Sequence, residues 1–307
     1  MSLIRYLTIA AALACAAASS FAGTFSSIVV FGDSLSDNGN LFAVTGQPPA
    51  PYFQGRFSNG PVAVEQLAAD LGVSPAALLD FAFAGATTGI GNTADGGSPS
   101  AFGAFNIPGM LTEFTQSQAS LAPFAGGLFI VWGGPNDFIS NPNPAAIGPA
   151  IANLLTIIGG IEGLGATHIL VPGMPDLGLT PRFRAQGAPV AAGASALTDA
   201  FNAALQASLP AGVTYFDTAA LLRAVVSNPG AFGFTNVTDP CLNLATSTVC
   251  NNPNQFLFWD DLHPTTATDA IVAGDFAAAA VPEPATMLLA AAGCGLLLLW
   301  RRRVTVG

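Results

Sequence analysis

The sequence predicts a single three-layer α/β/α domain built around a mostly parallel sheet. Apolar runs of strand length recur along the chain, at SIVVFG, LFIVWGG, THILVPG and VTYFD. Segments of helical period separate them, and strands alternating with helices imply βαβ units whose sheet is covered on both faces. With 307 residues and an apolar fraction of 51%, the chain can bury the core that such layering needs.

Taken in order, residues 1–22 place Arg5 ahead of an apolar run and end in Ser20-Phe21-Ala22, the pattern of a secretory signal cut after Ala22. The run SIVVFG then leads into FGDSLSDNGN, residues 31–40. A helix is expected at PVAVEQLAADL, with Pro61 in its first turn and Gly72 past its end. After LFIVWGG a second helix is expected from Ala150 to about Ile161, ending at Gly163. A third runs from about Ser195 to Leu209, with Pro210 as its stop. Three connections, 43–59, 87–108 and 227–254, are longer than usual, and long loops on a compact α/β scaffold commonly carry function.

Composition removes several functions. Charged residues make up 8% of the chain, there is no lysine, and the net charge is -10. That balance lacks the basic footprint a nucleic acid requires. A P-loop needs a lysine, and the DSLSDNGN stretch has Leu35 where a calcium loop wants an acid or amide. Export makes the cysteines readable. Cys15 lies in the signal and Cys294 near the C-terminus, so Cys241 and Cys250 are expected to form a disulfide in an oxidising compartment. Without a CxxC or clustered histidines, no zinc or other metal site is expected.

Ser34 at the end of the first strand is open to two readings, a residue of a tight turn or a nucleophile. A nucleophilic serine needs an imidazole, and His168 and His263 are the two histidines available. His168 stands at the start of a strand run, whereas His263 follows two carboxylates in FWDDLHPTT, which makes it the better candidate base. Asp260 precedes His263 by three residues, so one helical turn would put both on one face, with Asp261 pointing elsewhere. A carboxylate so placed can accept the Nδ1 proton and stabilise the imidazolium.

Five blocks, FGDSLSDNGN, GRFSNG, FAFAGATT, WGGPNDF and FWDDLHPT, resemble in order those of the GDSL esterase/lipase family, the SGNH hydrolases. The resemblance implies the flavodoxin-like fold of that family, with Ser34 as nucleophile and Asp260 and His263 completing the triad. It implies an oxyanion hole made of the Ser34 and Gly85 N–H groups and the Asn136 side chain. A carboxylic ester hydrolase working through an acyl-serine, without cofactor, is the expected activity, with acyl transfer or a non-catalytic surface role as alternatives. Arg56 could steer an anionic substrate or pin the loop GRFSNG. The C-terminus, with Val281-Pro282-Glu283-Pro284, an apolar span 285–300 and Arg301, Arg302 and Arg303, resembles the PEP-CTERM sorting signal of Gram-negative bacteria. That implies transient anchoring, processing by an exosortase and release to the cell surface. The expected organisation is signal 1–22, hydrolase domain 23–280 and sorting tail 281–307. The substrate is expected to be a lipid-like acyl ester or an acetylated glycan.

Overall fold

The computed structural model describes residues 25–281, so the expected secretory signal and all but the first residue of the sorting tail lie outside the described residues. The main sheet has five strands: β1 (Ile28–Gly32), β2 (Leu78–Asp80), β3 (Leu128–Trp132), β4 (His168–Pro172) and β5 (Thr214–Phe216). Their order is β2-β1-β3-β4-β5 with every neighbour parallel, the flavodoxin-like arrangement. Successive side chains on a strand point to opposite faces, and here that alternation divides the core in two. Val29, Phe31, Phe129, Val131, Ile169 and Val171 belong to one buried cluster, whereas Ile28, Val30, Leu128, Ile130, Trp132 and Leu170 belong to the other. Continuous apolar runs were therefore required, because neither face meets water.

The helices, in chain order, are α1 (Asn40–Thr45), α2 (Ala63–Asp70), α3 (Met110–Ser117), α4 (Ile147–Gly163), α5 (Pro181–Arg184), α6 (Ala188–Ser208), α7 (Thr218–Ser227) and α8 (Thr266–Ala280). Buried residues of α3, α4 and α6 cover the first face, and those of α2 and α8 cover the second. The end of α2 matches expectation, with Gly72 at φ +69° past the last turn, but its start does not: Val62 is the N-cap, so Pro61 precedes the helix and does not enter its first turn. By contrast, α4 starts three residues before the expected Ala150 and α6 seven before Ser195. Pro189 sits in the first turn of α6, where its missing N–H has no partner to lose.

The segment 227–254 is not a plain loop. It holds β6 (Asn236–Pro240), which pairs in parallel with β9 (Phe256–Phe258), and the hairpin β7 (Leu242–Asn243) and β8 (Thr248–Val249). The Cys241–Cys250 disulfide closes that hairpin at its base. Its half-cystines pack with Leu242, Trp259 and Tyr52.

Candidate active site

The chain leaves β1 to one side for β2 and to the other for β3, so the carboxyl ends of β1 and β3 form the switch point where open α/β sheets bind ligands. Ser34 follows β1 and Asn136 follows β3. The turn carrying Ser34 closes through the Ser36 and Asp37 N–H groups donating to the Asp33 carbonyl at 3.0 and 2.9 Å. Gly32 is needed here, since a Cβ would stand 2.8 Å from the Trp132 carbonyl of the neighbouring strand.

Buried carboxyls stitch this corner to the segment holding Gly85. Glu113 accepts the Gly32 N–H on one oxygen and the Phe83 N–H on the other, at 3.2 and 3.0 Å. Asp37 accepts from Gly39, Asn40, Leu41 and Ala84, which fixes the loop after Ser34 against the strand-exit segment of β2. Asp137 takes both the N–H and the hydroxyl of Thr88, binding the Asn136 turn to the same segment. Burial raises the titration of all these carboxyls, that of Asp137 to about 6 and those of Asp37 and Glu113 above their usual range. Gly85 itself has φ +85°, and a Cβ there would lie 2.4 Å from Asn92 Oδ1, so the position accepts no side chain.

His263 reaches this corner from the far end of the chain. Its Nε2 lies 2.8 Å from Ser34 Oγ, and its Nδ1 lies 2.8 Å from Asp260 Oδ2. Asp260 and His263 do not share a helical turn as spacing suggested. They lie in a bend between β9 and α8, where Asp260 Oδ1 accepts the N–H groups of Leu262 and His263 at 2.8 and 2.7 Å. The carboxylate therefore folds its own turn and meets the imidazole with its second oxygen, a local side-chain-to-backbone pattern typical of Asp. Burial opposes charge on Asp260, yet the imidazole and the two N–H donors outweigh it and bring its titration down to about 2. An ionised carboxylate only accepts, so Nδ1 carries the hydrogen and Nε2 is left to accept from the Ser34 hydroxyl.

The other expected residues divide cleanly. Asn136 donates one amide hydrogen to the Ala86 carbonyl at 3.0 Å, which orients its NH₂, and it lines the cleft with Ser34 and Gly85. Among the described residues the Ser34 and Gly85 N–H groups have no protein acceptor. Arg56 does not face the cleft; it binds Glu65 through two nitrogens at 3.1 and 2.6 Å and so pins its loop to α2. Asp261 points away from His263 and pairs with Arg182. His168 packs its ring edge-on against Phe25 at the start of β4. Sequence reasoning missed Tyr52, whose hydroxyl donates to Asp260 Oδ2 at 2.7 Å, and Glu113; both partners lie far off in the chain.

Ser34, Asn136 and His263 stand where two recesses meet. One, with a volume of about 80 Å³, is narrow and apolar and runs between Leu221, Leu222 and Val225 of α7 and Leu257, Ile271 and Val272. The other, about 300 Å³, is wider and opens past Phe57, Gly85, Thr93 and Ser140.

With that geometry in place, comparison with known proteins is direct: residues 28–276 match the GDSL-like lipase/acylhydrolase family. The chain belongs to this family. The match covers both edges of the sheet and every residue of the Ser34 cleft. Residues 280–303 match the PEP-CTERM protein-sorting motif. Among relatives, the thermolabile hemolysin of Vibrio parahaemolyticus is 27% identical over 80% of this chain and 62% of its own length. The phosphatidylcholine-sterol acyltransferase of Aeromonas hydrophila is 31% identical over 71% of this chain and 65% of its own. A GDSL esterase/lipase of Arabidopsis thaliana is 29% identical, covering 80% of this chain and 82% of that one. The chain thus spans less than two thirds of the length of the two bacterial relatives. A solved acetyl xylan esterase superposes with TM-score 0.46 and 9% identity over 83% of this chain and all of that one, too distant to bear on substrate.

Proposed function

We propose that this GDSL hydrolase is an exported carboxylic ester hydrolase in which Ser34, His263 and Asp260 act as a triad. The observation that carries the reading is the unbroken relay from Ser34 Oγ to His263 Nε2 and from His263 Nδ1 to Asp260 Oδ2, each at 2.8 Å. Ser34 Oγ attacks the ester carbonyl while Nε2 takes its proton, and Asp260 stabilises the imidazolium that forms. The developing oxyanion is met by the Ser34 and Gly85 N–H groups and the Asn136 amide, and one such donor typically contributes about 10²- to 10³-fold in rate. Collapse of the tetrahedral adduct breaks the ester bond, and His263 returns the proton to the leaving alcohol. Water then attacks the acyl-serine by the same route, releasing the acid and restoring the hydroxyl.

The apolar recess supports an acyl chain as the part of the substrate that lies beside α7, with the alcohol in the wider recess. Ser34→Ala is expected to abolish turnover of p-nitrophenyl esters with the thermal unfolding profile retained; persistent hydrolysis by that variant would sink the reading. Across acetate to decanoate, rates are expected to rise with chain length, and Val225→Trp is expected to remove that rise by about tenfold while sparing acetate. An acetylated glycan serves as the contrasting substrate.

Acyl transfer to a second alcohol is the alternative, and the name of the Aeromonas relative favours testing it. Product analysis with an added alcohol acceptor separates the two, because water and alcohol compete for one acyl-serine. The sorting motif supports export, processing by an exosortase and a mature chain near residues 23–280. Mass spectrometry of the protein recovered from the producing cell surface tests those ends.

A further inference from the structure

We infer that Tyr52 is a positioning residue for the acid–imidazole pair, sharing Asp260 Oδ2 with His263 and so setting how much of the carboxylate's charge faces the imidazole. The assignment rests on the reading of Ser34, His263 and Asp260 as the reacting centre. Tyr52 lies in the long loop before α2, 208 residues from Asp260, and its hydroxyl donates to Oδ2 at 2.7 Å. The same oxygen meets His263 Nδ1 at 2.8 Å, while Oδ1 takes the Leu262 and His263 N–H groups. Four donors therefore fill the lone-pair sites that a carboxylate offers.

The hydroxyl is held from two sides. The Tyr52 ring stands edge-on to Trp259 at 6.2 Å and tilts against Phe57 at 5.6 Å, and Phe57 in turn lies 4.8 Å from the His263 ring. Trp259 is buried with the Cys241–Cys250 disulfide and Leu242, so the hairpin base and the aromatic wedge form one support behind the carboxylate. Burial first, and the Asp260 carboxylate next, push the Tyr52 hydroxyl well above its usual titration range, so it keeps its proton and can only donate to Asp260. The charged neighbours are few. Asp33 acts on His263 from the β1 side, and Asp261 and Arg182 flank Tyr52 but are paired with each other.

Without the hydroxyl, Oδ2 has a single donor and its charge falls on the imidazole, which favours the imidazolium before the reaction begins. More alkaline solution is then needed to free Nε2. Tyr52→Phe in the full chain keeps the ring and its packing. On the acid limb its kcat is expected to fall about threefold with KM within about twofold, the most that a half-unit rise in the imidazole's titration takes from the free base. The acid limb of its kcat/KM profile is expected to move up by about half a pH unit. Its labelling by a fluorophosphonate should slow in parallel, with the unfolding temperature within about 2 °C of the parent. A hydroxyl that only holds its loop to Asp260 would lower the unfolding temperature on removal and leave the acid limb in place, and that result overturns the assignment, as does wild-type kcat and pH profile in the variant. Failure of the parent protein to be labelled at Ser34 would overturn the reading of the centre itself, and the assignment with it.

Discussion

Asp33 and Asp260 flank the Ser34–His263 pair from opposite sides, both buried, with 1% and 2% of their surface exposed. Asp260 is surrounded by four donors, and its carboxyl is brought down to about 2. Asp33 accepts one N–H, from Leu35, its Oδ2 has no partner, and its carboxyl is raised to about 7 by burial. Depth is the same, so the donors decide the charge. The β1 corner, with Asp33, Asp37 and Glu113, uses carboxyls as braces, whereas the bend before α8 uses one as an ionised partner for a base.

The sharpest break in that contrast is Asp260→Asn. An amide in place of the ionised acceptor presents an NH₂ or a neutral oxygen to Nδ1, which disturbs the tautomer, and kcat for p-nitrophenyl esters is expected to fall about 10⁴-fold with little change in fold. Next is Glu113→Ala, which leaves the buried Gly32 and Phe83 N–H groups without their acceptor. Urea denaturation is expected to show a loss of about 2–3 kcal/mol. A normal midpoint would mean that the brace is dispensable.

The third prediction uses pH. Asp33 binds its proton more tightly folded than unfolded, so the stability it contributes is full below the usual carboxylate range near 3.8 and is lost as pH rises through about 7. Asp137, raised to about 6, acts in the same direction. Asp260 acts in reverse: its contribution holds above 3.8 and is lost as pH falls towards 2, outside this window. Thermal unfolding is therefore expected at higher temperature at pH 5 than at pH 8, and Asp33→Asn is expected to flatten part of that slope, by a few degrees on a scale of about 2–4 °C per kcal/mol. A slope unchanged in the variant would assign it to other groups.

The smallest effect belongs to the carboxylate next to Asp260. Asp261 and Arg182 form a bidentate pair whose side chains are 35% and 37% exposed. Arg182→Ala is expected to shift stability by less than about 1 kcal/mol in urea, because solvent screens the pair. A larger loss would show that this surface pair supports the bend holding His263.

Much of this was readable from the chain alone. The strand runs at 28–32, 128–132 and 168–172 are continuous because both faces of the sheet are covered, and β2 was not readable because LLD is three half-buried residues. The separation of Asp260 and His263 pointed to their pairing, but through a helical turn, whereas the carboxylate builds its own bend from two backbone N–H groups. Family membership was legible because five blocks occur in order, each preserving a different part of one cleft.

The sequence by itself determined the layering, the sheet's apolar strands and the choice of His263 over His168, since these follow from periodicity and from which residue types occur at all. Only the tertiary structure decided that Tyr52 shares the Asp260 carboxylate, that Glu113 ties β1 to the segment before Gly85, and that an apolar recess runs from Ser34 beside α7. Those contacts join residues 208 and 81 apart, and no local pattern marks such partners before the sheet brings them together.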